Sequence, residues 1–193
     1  ERLEHERATM LASITSLVYA LEARDAYTRG HSEAVADIVS EMVALTNADG
    51  AEVELVKIGG RLHDIGKIGV KDNVLLKPGK LTDSEFAHIK AHPVIGANIL
   101  RSIDSLHDVI PICLYHHERF DGRGYPEGLK GQEIPLWARM AAVADTYNAM
   151  TSDRPYRKGM PQEKALQIID EIRGSQLCPD SVPLFLKWHS LKS

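Results

Sequence analysis

The stretch LHDIGKIGV at residues 62–70 places an adjacent histidine and aspartate at the end of an apolar run with helical spacing. Lys67 follows His63 by four residues and Asp64 by three, and on a helix this spacing puts the three side chains on one face. A carboxylate in apolar surroundings needs a cation as its partner, and a metal ion is the strongest one. We therefore predict a helix over residues 51–67 that ends in part of a metal site, where Asp64 bridges two cations through its two oxygens.

The segments that flank this stretch also repeat their apolar residues with the period of a helix. No segment alternates with the period of a β-strand, and Thr82 with Glu85 has the pattern of a capping box at a helix start. Besides residues 51–67, the predicted helices cover residues 3–24, 31–46, 93–103, 109–116, 135–150, 162–173 and 181–190. The predicted fold is all-α, a compact helical bundle.

The composition limits the classes of protein and partner. The chain has 193 residues, a length that suits one domain, and 44% of them are hydrophobic, which is enough for a core. The formal net charge of −4 argues against a DNA or RNA polymer as partner, and no apolar run approaches the roughly 20 residues of a membrane span. Cys113 and Cys178 are too few for a disulfide framework, so we expect two core thiols and a cytoplasmic location.

Residues 1–24 are predicted to form a connector helix ahead of a catalytic domain over residues 25–193. A short apolar seam with spacings of three, four and seven residues runs along this helix. Its members are Leu3, Met10, Ile14, Leu17 and Leu21. The seam fits two interpretations: the helix packs on its own domain, or it forms a coiled coil with an upstream sensor or with a second copy of the chain. The chain begins without a methionine, so we expect it to be part of a longer protein.

Five of the nine histidines stand where buried ligands are expected. They are His31, His63, His92, His116 and His117. The other four, in polar or terminal contexts typical of surface histidines, are His5, His88, His107 and His189. His116 and His117 are adjacent and lead into a glycine-rich loop, which favours a site over a satisfied core histidine. Asp145 ends an apolar run, where an unpaired carboxylate would be costly, and Asn148 one turn later either supports the ligands or faces solvent.

The loop over residues 118–134 contains four glycines and no helical periodicity. It is either a structural connection with tight turns, or a wall of a substrate pocket, or a docking surface for another protein. Gly124 would allow a close backbone approach, and Tyr125 would stack on a base or form a hydrogen bond. Arg154 and Arg157, three residues apart, are either ordinary surface charges or ligands of phosphate.

Taken in order along the chain, these motifs resemble the HD-GYP domains of the HD phosphohydrolase superfamily. The matching stretches are RDAYTRGHS (24–32), LHDIGKIGV (62–70), HPVIG (92–96), HHERFDGRGYPEGL (116–129) and ARMAAVADTYNAMTSDRPYR (138–157). The resemblance implies an all-α fold of the HD-domain type, a metal cluster, and hydrolysis of cyclic di-GMP to the linear dinucleotide pGpG or to GMP.

The resemblance also implies roles for individual residues. The metal ligands would be His31, His63, Asp64, His92, His116, His117 and Asp145. Lys67 would act near the scissile phosphate, and Gly124 and Tyr125 belong to the family's GYP triplet. Arg154 and Arg157 match basic positions that would meet the phosphates of the substrate.

One position departs from the family pattern. Some members carry a glutamate four residues before the first motif histidine and bind three metals, whereas this chain has Tyr27 there. A tyrosine does not easily replace a carboxylate ligand, so we expect two metals and a product that is largely the linear dinucleotide. A ligand set rich in imidazole favours transition metals over magnesium or calcium, with iron or manganese first.

Two other functions stay open on the sequence alone. A cyclic GMP-AMP phosphodiesterase would use the same chemistry, since the residues that select bases are not readable from one sequence. A non-catalytic module would sense a cyclic dinucleotide or dock a signalling protein. Loss of catalysis normally removes at least one ligand, and this chain retains all seven.

Overall fold

The computed structural model describes residues 2–24, 30–153 and 158–192, and this part of the chain contains helices and loops without a β-strand. The α-helices are α1 (Arg2–Arg24), α2 (His31–Ala44), α3 (Gly50–Leu62), α4 (Asp72–Leu75), α5 (Asp83–Lys90), α6 (His92–Leu100), α7 (Ile110–Tyr115), α8 (Leu136–Thr151), α9 (Gln162–Glu171) and α10 (Ser181–Lys192). Short 3₁₀ segments cover Ile65–Gly69, Asp104–Val109 and Gly131–Glu133. The all-α prediction is confirmed. Among the described helices, none is both long enough and apolar enough to cross a lipid bilayer.

Helix α3 ends earlier than the apolar spacing predicts. It begins at a capping box formed by Asp49 and Glu52 and stops at Leu62, so the prediction of a continuous helix to residue 67 is wrong. The backbone of Asp64 leaves the helical region at φ −102° and ψ 6°. A tighter turn follows, in which the amide of Lys67 donates to the carbonyl oxygen of Asp64 at 2.9 Å.

Close packing against α6 explains this break. A β-carbon on Gly66 would collide with the backbone of His92, and one on Gly96 would meet the sulfur of Cys113. The 3₁₀ segment after α3 therefore lies directly against the start of α6. This contact brings Asp64 beside His92, and no pattern within residues 51–70 reveals it.

Two buried apolar clusters stabilise the bundle. The first joins α2, α8, α9 and α10 through side chains that include Val39, Val143 and Phe185. The second joins α1 and α3 to the 104–115 region through side chains that include Leu62 and Cys113. Because predicted ligands lie on or beside helices of both clusters, the packing between the helices sets the distances between the ligands.

Helix α1 packs on the domain at its C-terminal end. Val18 and Leu21 are buried in the second cluster, whereas Leu17 and Tyr19 are 56% and 58% exposed. Leu17 and Leu21 are the two seam members whose side chains the structure describes, and only Leu21 packs on the domain. The last turns of α1 thus pack on their own domain, which is the first of the two interpretations of the seam. The coiled coil stays a prediction for the rest of the helix.

Candidate metal centre

The seven predicted ligands approach one place from five parts of the chain. His31 begins α2, His63 and Asp64 follow α3, His92 begins α6, His116 and His117 follow α7, and Asp145 lies in α8. Three groups of ligand atoms have all members within 4.8 Å of one another: Asp64 with His92, His116 and His117; His31 with His63 and Asp64; and His63 with His116 and Asp145. The described residues therefore contain a His/Asp cluster that can hold metal ions.

Asp64 is shared by two of these groups, and its two oxygens face different histidines. Its Oδ1 lies 3.1 Å from His92 Nε2 and 3.8 Å from His116 Nε2. Its Oδ2 lies 3.4 Å from His63 Nε2 and 3.8 Å from His31 Nε2. Each oxygen thus has its own pair of imidazoles, an arrangement that suits a carboxylate bridging two cations.

Asp145 and His117 lie beside this central carboxylate and also line a cavity. Asp145 Oδ1 is 3.2 Å from His31 Nε2. The ring centroid of His117 is 4.1 Å from that of His116 and 5.1 Å from that of His92. These two groups are therefore placed to contact both a metal ion and whatever enters the cavity.

Hydrogen bonds at the far nitrogen orient four of the histidines. In His63, His92 and His116, Nδ1 lies 2.6, 2.7 and 2.9 Å from the carbonyl oxygen three residues earlier. In His31, Nδ1 lies 2.6 Å from Oδ1 of Asn148, which therefore supports a ligand rather than facing solvent. Because these oxygens accept, Nδ1 carries the proton and the lone pair of Nε2 points into the cluster.

This collection of acceptors fits a bound cation. Lone pairs of Nε2 and carboxylate oxygens repel one another unless a positive charge lies between them. His63 Nε2 is buried and has no hydrogen-bond partner among the described residues. Imidazole nitrogen with carboxylate oxygen is a donor set that divalent transition metals accept. The side chains present thus fit the metal that the motifs imply.

The histidines of the cluster differ in their affinity for protons. Burial lowers the pKa of His117 to about 4. Burial, reinforced by the neighbouring histidines, lowers the pKa of His116 well below its usual range. Burial also opposes protonation of His63, but Asp64 outweighs it and raises the pKa of His63. The raised pKa of His63 means that protons compete with metal ions at this ligand.

The two carboxylates are held in their ionised form. Burial alone would raise the pKa of Asp64, but the Lys67 ammonium and His63 outweigh it and hold the pKa well below its usual range. Burial likewise opposes ionisation of Asp145, but the neighbouring His31, whose Nε2 lies 3.2 Å from Asp145 Oδ1, outweighs burial and lowers the pKa of Asp145. Ionised carboxylates are the form that binds metals.

Lys67 stands next to the central carboxylate, as its spacing predicted. Its Nζ lies 2.6 Å from Asp64 Oδ2, although the two residues sit on a 3₁₀ turn and not on one face of an α-helix. The ammonium adds positive charge at the edge of the cluster. Its role beside a phosphate stays a prediction.

A cavity of about 280 Å³ opens beside the ligands. Its lining includes three of the ligands and five residues of the glycine-rich loop and α5, namely His116, His117, Asp145, Phe86, Lys90, Arg123, Gly124 and Tyr125. The ring of Tyr125 stacks on that of His117 with centroids 4.8 Å apart. Gly124 and Tyr125 therefore lie beside the cluster, and their contact with a substrate stays a prediction.

Phe86 and Lys90 are cavity residues that the sequence motifs did not indicate. Lys90 Nζ lies 4.8 Å from the ring centroid of Phe86 and 5.5 Å from that of Tyr125. The spacing of four residues signals a shared helix face, but only tertiary packing brings that face to the cavity. An ammonium beside two aromatic rings suits a nucleotide, which offers both an anionic phosphate and a flat base.

Internal contacts hold the glycine-rich loop in place. Glu118 is buried, and its Oε1 accepts hydrogen bonds from the amides of Glu127 at 2.7 Å and Gly128 at 3.0 Å. A β-carbon on Gly124 would collide with the backbone of residues 117–119. The close approach that this glycine allows is thus an approach of the protein to itself.

The remaining predicted residues lie away from the cluster or outside the described part of the chain. Arg154, Arg157 and Tyr27 belong to the residues that the structure does not describe, so the roles assigned to them stay predictions. His88 and His107 are exposed as predicted.

Two further predictions concern residues away from the centre. His189 is half-buried in α10, with Nε2 3.2 Å from the hydroxyl of Tyr147, so it is a partly exposed histidine that also packs on the domain. Cys113 and Cys178 are buried free thiols, in agreement with their prediction as core residues.

Comparison with known proteins gives a family and several relatives. A family model described as HD domain matches residues 8–180. A cyclic di-GMP phosphodiesterase of Pseudomonas aeruginosa is 45% identical over 157 residues, which cover 80% of this chain and 37% of the relative. A 3'3'-cGAMP-specific phosphodiesterase of Vibrio cholerae is 36% identical over 170 residues, which cover 86% of this chain and 36% of the relative. The chain therefore spans less than half the length of these curated relatives.

A solved structure supports the same fold. The crystal structure of a cyclic GMP-AMP specific phosphodiesterase of Vibrio cholerae matches with a TM-score of 0.71 at 17% identity, over 93% of this chain and 48% of that chain. At this identity the match concerns the fold alone, and it agrees with the all-α bundle. Together, the matches confirm the resemblance that the motifs indicated.

Proposed function

This chain belongs to the HD domain family, and on that premise we propose that it is the catalytic domain of a metal-dependent phosphodiesterase acting on a cyclic dinucleotide. The observation that carries the proposal is Asp64, whose two oxygens face separate pairs of imidazoles. Hydrolysis of a phosphodiester needs positive charge at the attacking and leaving oxygens, and paired cations supply it. The relatives named as phosphodiesterases for cyclic dinucleotides support the same reaction.

The proposed centre would hold two divalent ions, with Asp64 as a ligand available to both. One ligand set would be completed by His31, His63 and Asp145, and the other by His92, His116 and His117. Mixed imidazole and carboxylate ligands favour iron or manganese over magnesium or calcium, and Tyr27 in place of a further carboxylate is the reason to propose two ions. When bound, such ions polarise the phosphate and lower the pKa of water.

Side chains of the protein itself would orient the substrate and offset its charge. Lys67, 2.6 Å from Asp64, would stabilise negative charge that builds up on the phosphate oxygens during the reaction. Gly124 and Tyr125 line the cavity, where the tyrosine ring offers a surface for a nucleobase. Arg154 and Arg157 would bind the phosphates, a role that rests on the motif alone.

Cyclic di-GMP is the proposed first substrate, with pGpG as the main product and GMP as a further one. It is supported by the 45% identity to the Pseudomonas phosphodiesterase. Cyclic GMP-AMP is the second candidate, because a relative at 36% identity is named as specific for it. Both compounds present two phosphates and two bases, which match the ammonium of Lys90 and the rings of Phe86 and Tyr125 in the cavity.

Metal analysis combined with product identification tests the proposal. The chain is loaded with iron or manganese without oxygen, its metal content is measured, and it is incubated separately with each dinucleotide. We expect about two ions per chain and conversion of cyclic di-GMP to pGpG. Asp64→Ala should lose both metal and activity. The control, Asp170→Ala, removes an exposed carboxylate on α9 and should keep both.

Each other outcome points to a different function. Full activity of Asp64→Ala would overturn the bridging role. A chain that cannot be loaded with metal but binds a cyclic dinucleotide in calorimetry would be a non-catalytic sensor. A loaded chain that hydrolyses bis(p-nitrophenyl) phosphate but neither dinucleotide would retain the metal centre and exclude both proposed substrates.

The proposal includes partners and a location. Helix α1 would connect to an upstream sensor or pair with a second copy, for which the exposed Leu17 and Tyr19 offer apolar surface. The glycine-rich loop would dock other signalling proteins. A cytoplasmic location agrees with the free thiols Cys113 and Cys178. Sedimentation of the parent and of Leu17→Glu tests the dimer, which the charge should dissociate.

A further inference from the structure

The last two turns of α1 contact backbone segments that carry three of the proposed ligands. Val18 and Leu21 pack in one cluster with Leu62 and Ile65. Leu62 stands immediately before the His-Asp pair and Ile65 immediately after it. Apolar packing from α1 therefore supports the chain on both sides of this pair.

Glu22, near the end of α1, holds the start of α2. Its side chain is buried, with 4% exposure. Its Oε2 accepts the amide of Gly30 at 3.0 Å, and its Oε1 accepts the amide of Ser32 at 3.1 Å, so the two bonds flank His31. Gly30 is the N-cap of α2 and has no side chain to satisfy the free amides of the first turn. The carboxylate of Glu22 supplies this cap from another helix.

Arg24, the last residue of α1, contacts the segment after Asp64. Its guanidinium donates to the carbonyl oxygens of Ile68 at 3.0 Å and Val70 at 2.6 Å. It also pairs with the exposed carboxylate of Asp72 at 2.7 Å. One helix end is thus bonded both to the segment around His31 and to the segment that follows Asp64.

We propose that Glu22 and Arg24 are positioning residues of the metal centre. By fixing α1 against both segments, they fix the separation of His31 and Asp64, whose Nε2 and Oδ2 atoms are 3.8 Å apart. A small displacement of α1 would separate the ligands of one ion and leave the set of His92, His116 and His117 in place. An upstream segment that moves α1 would therefore control occupancy of the ion at His31. The inference rests on the proposed metal centre but not on the identity of the dinucleotide.

Metal affinity, measured without substrate, tests this role. Glu22→Gln keeps the size of the side chain but replaces one accepting oxygen with an amino group that faces a backbone amide. Calorimetric titration of metal-free protein with Mn²⁺ should show the Kd of one site raised by about tenfold or more, while the Kd of the other site stays within about twofold. Arg24→Ala, at a side chain that is 30% exposed, should act in the same direction and serves if the first variant does not fold.

Two control variants isolate the contacts that matter. Asp72→Ala removes the exposed partner of Arg24 but keeps its bonds to carbonyl oxygens, and Ser16→Ala changes an exposed residue of α1. Both should bind Mn²⁺ as the parent does. If Glu22→Gln and Arg24→Ala lower the Tm of the metal-free protein but leave both Kd values unchanged, the positioning role is wrong and the proposed metal centre still stands. A parent that binds no metal would overturn the proposed centre and the inference together.

Discussion

At the scale of single residues, the partner of Nε2 distinguishes the histidines of the cluster around Asp64 from ordinary core histidines. A buried core histidine normally satisfies both nitrogens with hydrogen bonds. In His63, His92 and His116 the Nδ1 atom is satisfied by a nearby carbonyl, and the Nε2 atoms gather around a carboxylate instead. The motifs singled out these histidines in the sequence, whereas the direction of each ring depends on backbone turns that spacing does not show.

Asn148→Ala should weaken metal binding. Its Oδ1 is the hydrogen-bond acceptor for Nδ1 of His31 at 2.6 Å, and loss of such a partner typically reduces metal affinity by about 10–100-fold. Titration of the metal-free variant with Mn²⁺ measures the change. Asn148→Asp should recover most of the affinity because its carboxylate accepts the same bond. Asn98→Ala, at an exposed position on α6, is the control, and equal affinities for Asn148→Ala and the parent would contradict the role.

The stability of the metal-free protein should fall as the pH drops from about 6.5 to 4. The folded pKa of His117 is about 4, while that of an unfolded histidine is about 6.5. Between these values the unfolded chain binds the proton and the folded chain does not, so the free energy of unfolding rises with pH in this window.

Urea unfolding with chelator at several pH values measures this dependence. In His117→Gln, the change in the free energy of unfolding between pH 4 and 6.5 should be smaller than in the parent by up to about 3 kcal/mol. The curves of the parent and the variant should run parallel above pH 7. Equal slopes for the two proteins between pH 4 and 6.5 would contradict the assignment.

At the scale of elements, the helices were largely predictable and the break after α3 was not. Apolar periodicity places α2 and α8 within a few residues of their observed ends, because that period reflects burial of one helix face. The 3₁₀ turn at Ile65–Gly69 arises from contact with α6, which is distant in sequence. Phe86, Lys90, Glu22 and Arg24 were missed for the same reason: their roles come from helix placement and not from local pattern.

Gly66→Ala should destabilise the fold at this contact. The added β-carbon would collide with the carbonyl group of His92, and forcing extra atoms into a packed site costs typically about 1–3 kcal/mol. Urea unfolding of the metal-free protein measures the loss, and the displaced α6 should also weaken metal binding. Gly50→Ala is the matched control, because its β-carbon would meet nothing within 4 Å. If Gly66→Ala is as stable as the parent, the 3₁₀ turn at Ile65–Gly69 and the start of α6 can move apart without loss of stability.

At the scale of the whole molecule, the proposed ions would join parts of the chain that different apolar clusters organise. His31 and Asp145 lie on α2 and α8 of the first cluster, and His63 and Asp64 follow α3 of the second. A metal bound by both groups adds a connection between them that apolar packing does not provide. The ions should therefore contribute to global stability as well as to chemistry.

Chelation should lower the Tm of the protein. An ion that binds only the folded state, present at 100 times its Kd, stabilises that state by about 2.7 kcal/mol. For a chain of this size, this corresponds to a Tm shift of about 5–10 °C. Differential scanning calorimetry with Mn²⁺ and with chelator measures it. Asp64→Ala should have the same Tm with Mn²⁺ and with chelator. If the Tm of the parent is also the same in both conditions, bound metal does not stabilise the fold.

The ligands around Asp64 are buried or half-buried, and the cavity beside them is lined by the exposed Arg123. An ion must lose its hydration shell and pass this opening before it reaches nitrogen and carboxylate donors, so exchange with the medium will be slow. The metal recovered with the purified chain will then record the supply in the culture where the cells grew. Preparations from zinc-rich and iron-supplemented broth should be treated as different enzymes until each has been stripped and reloaded.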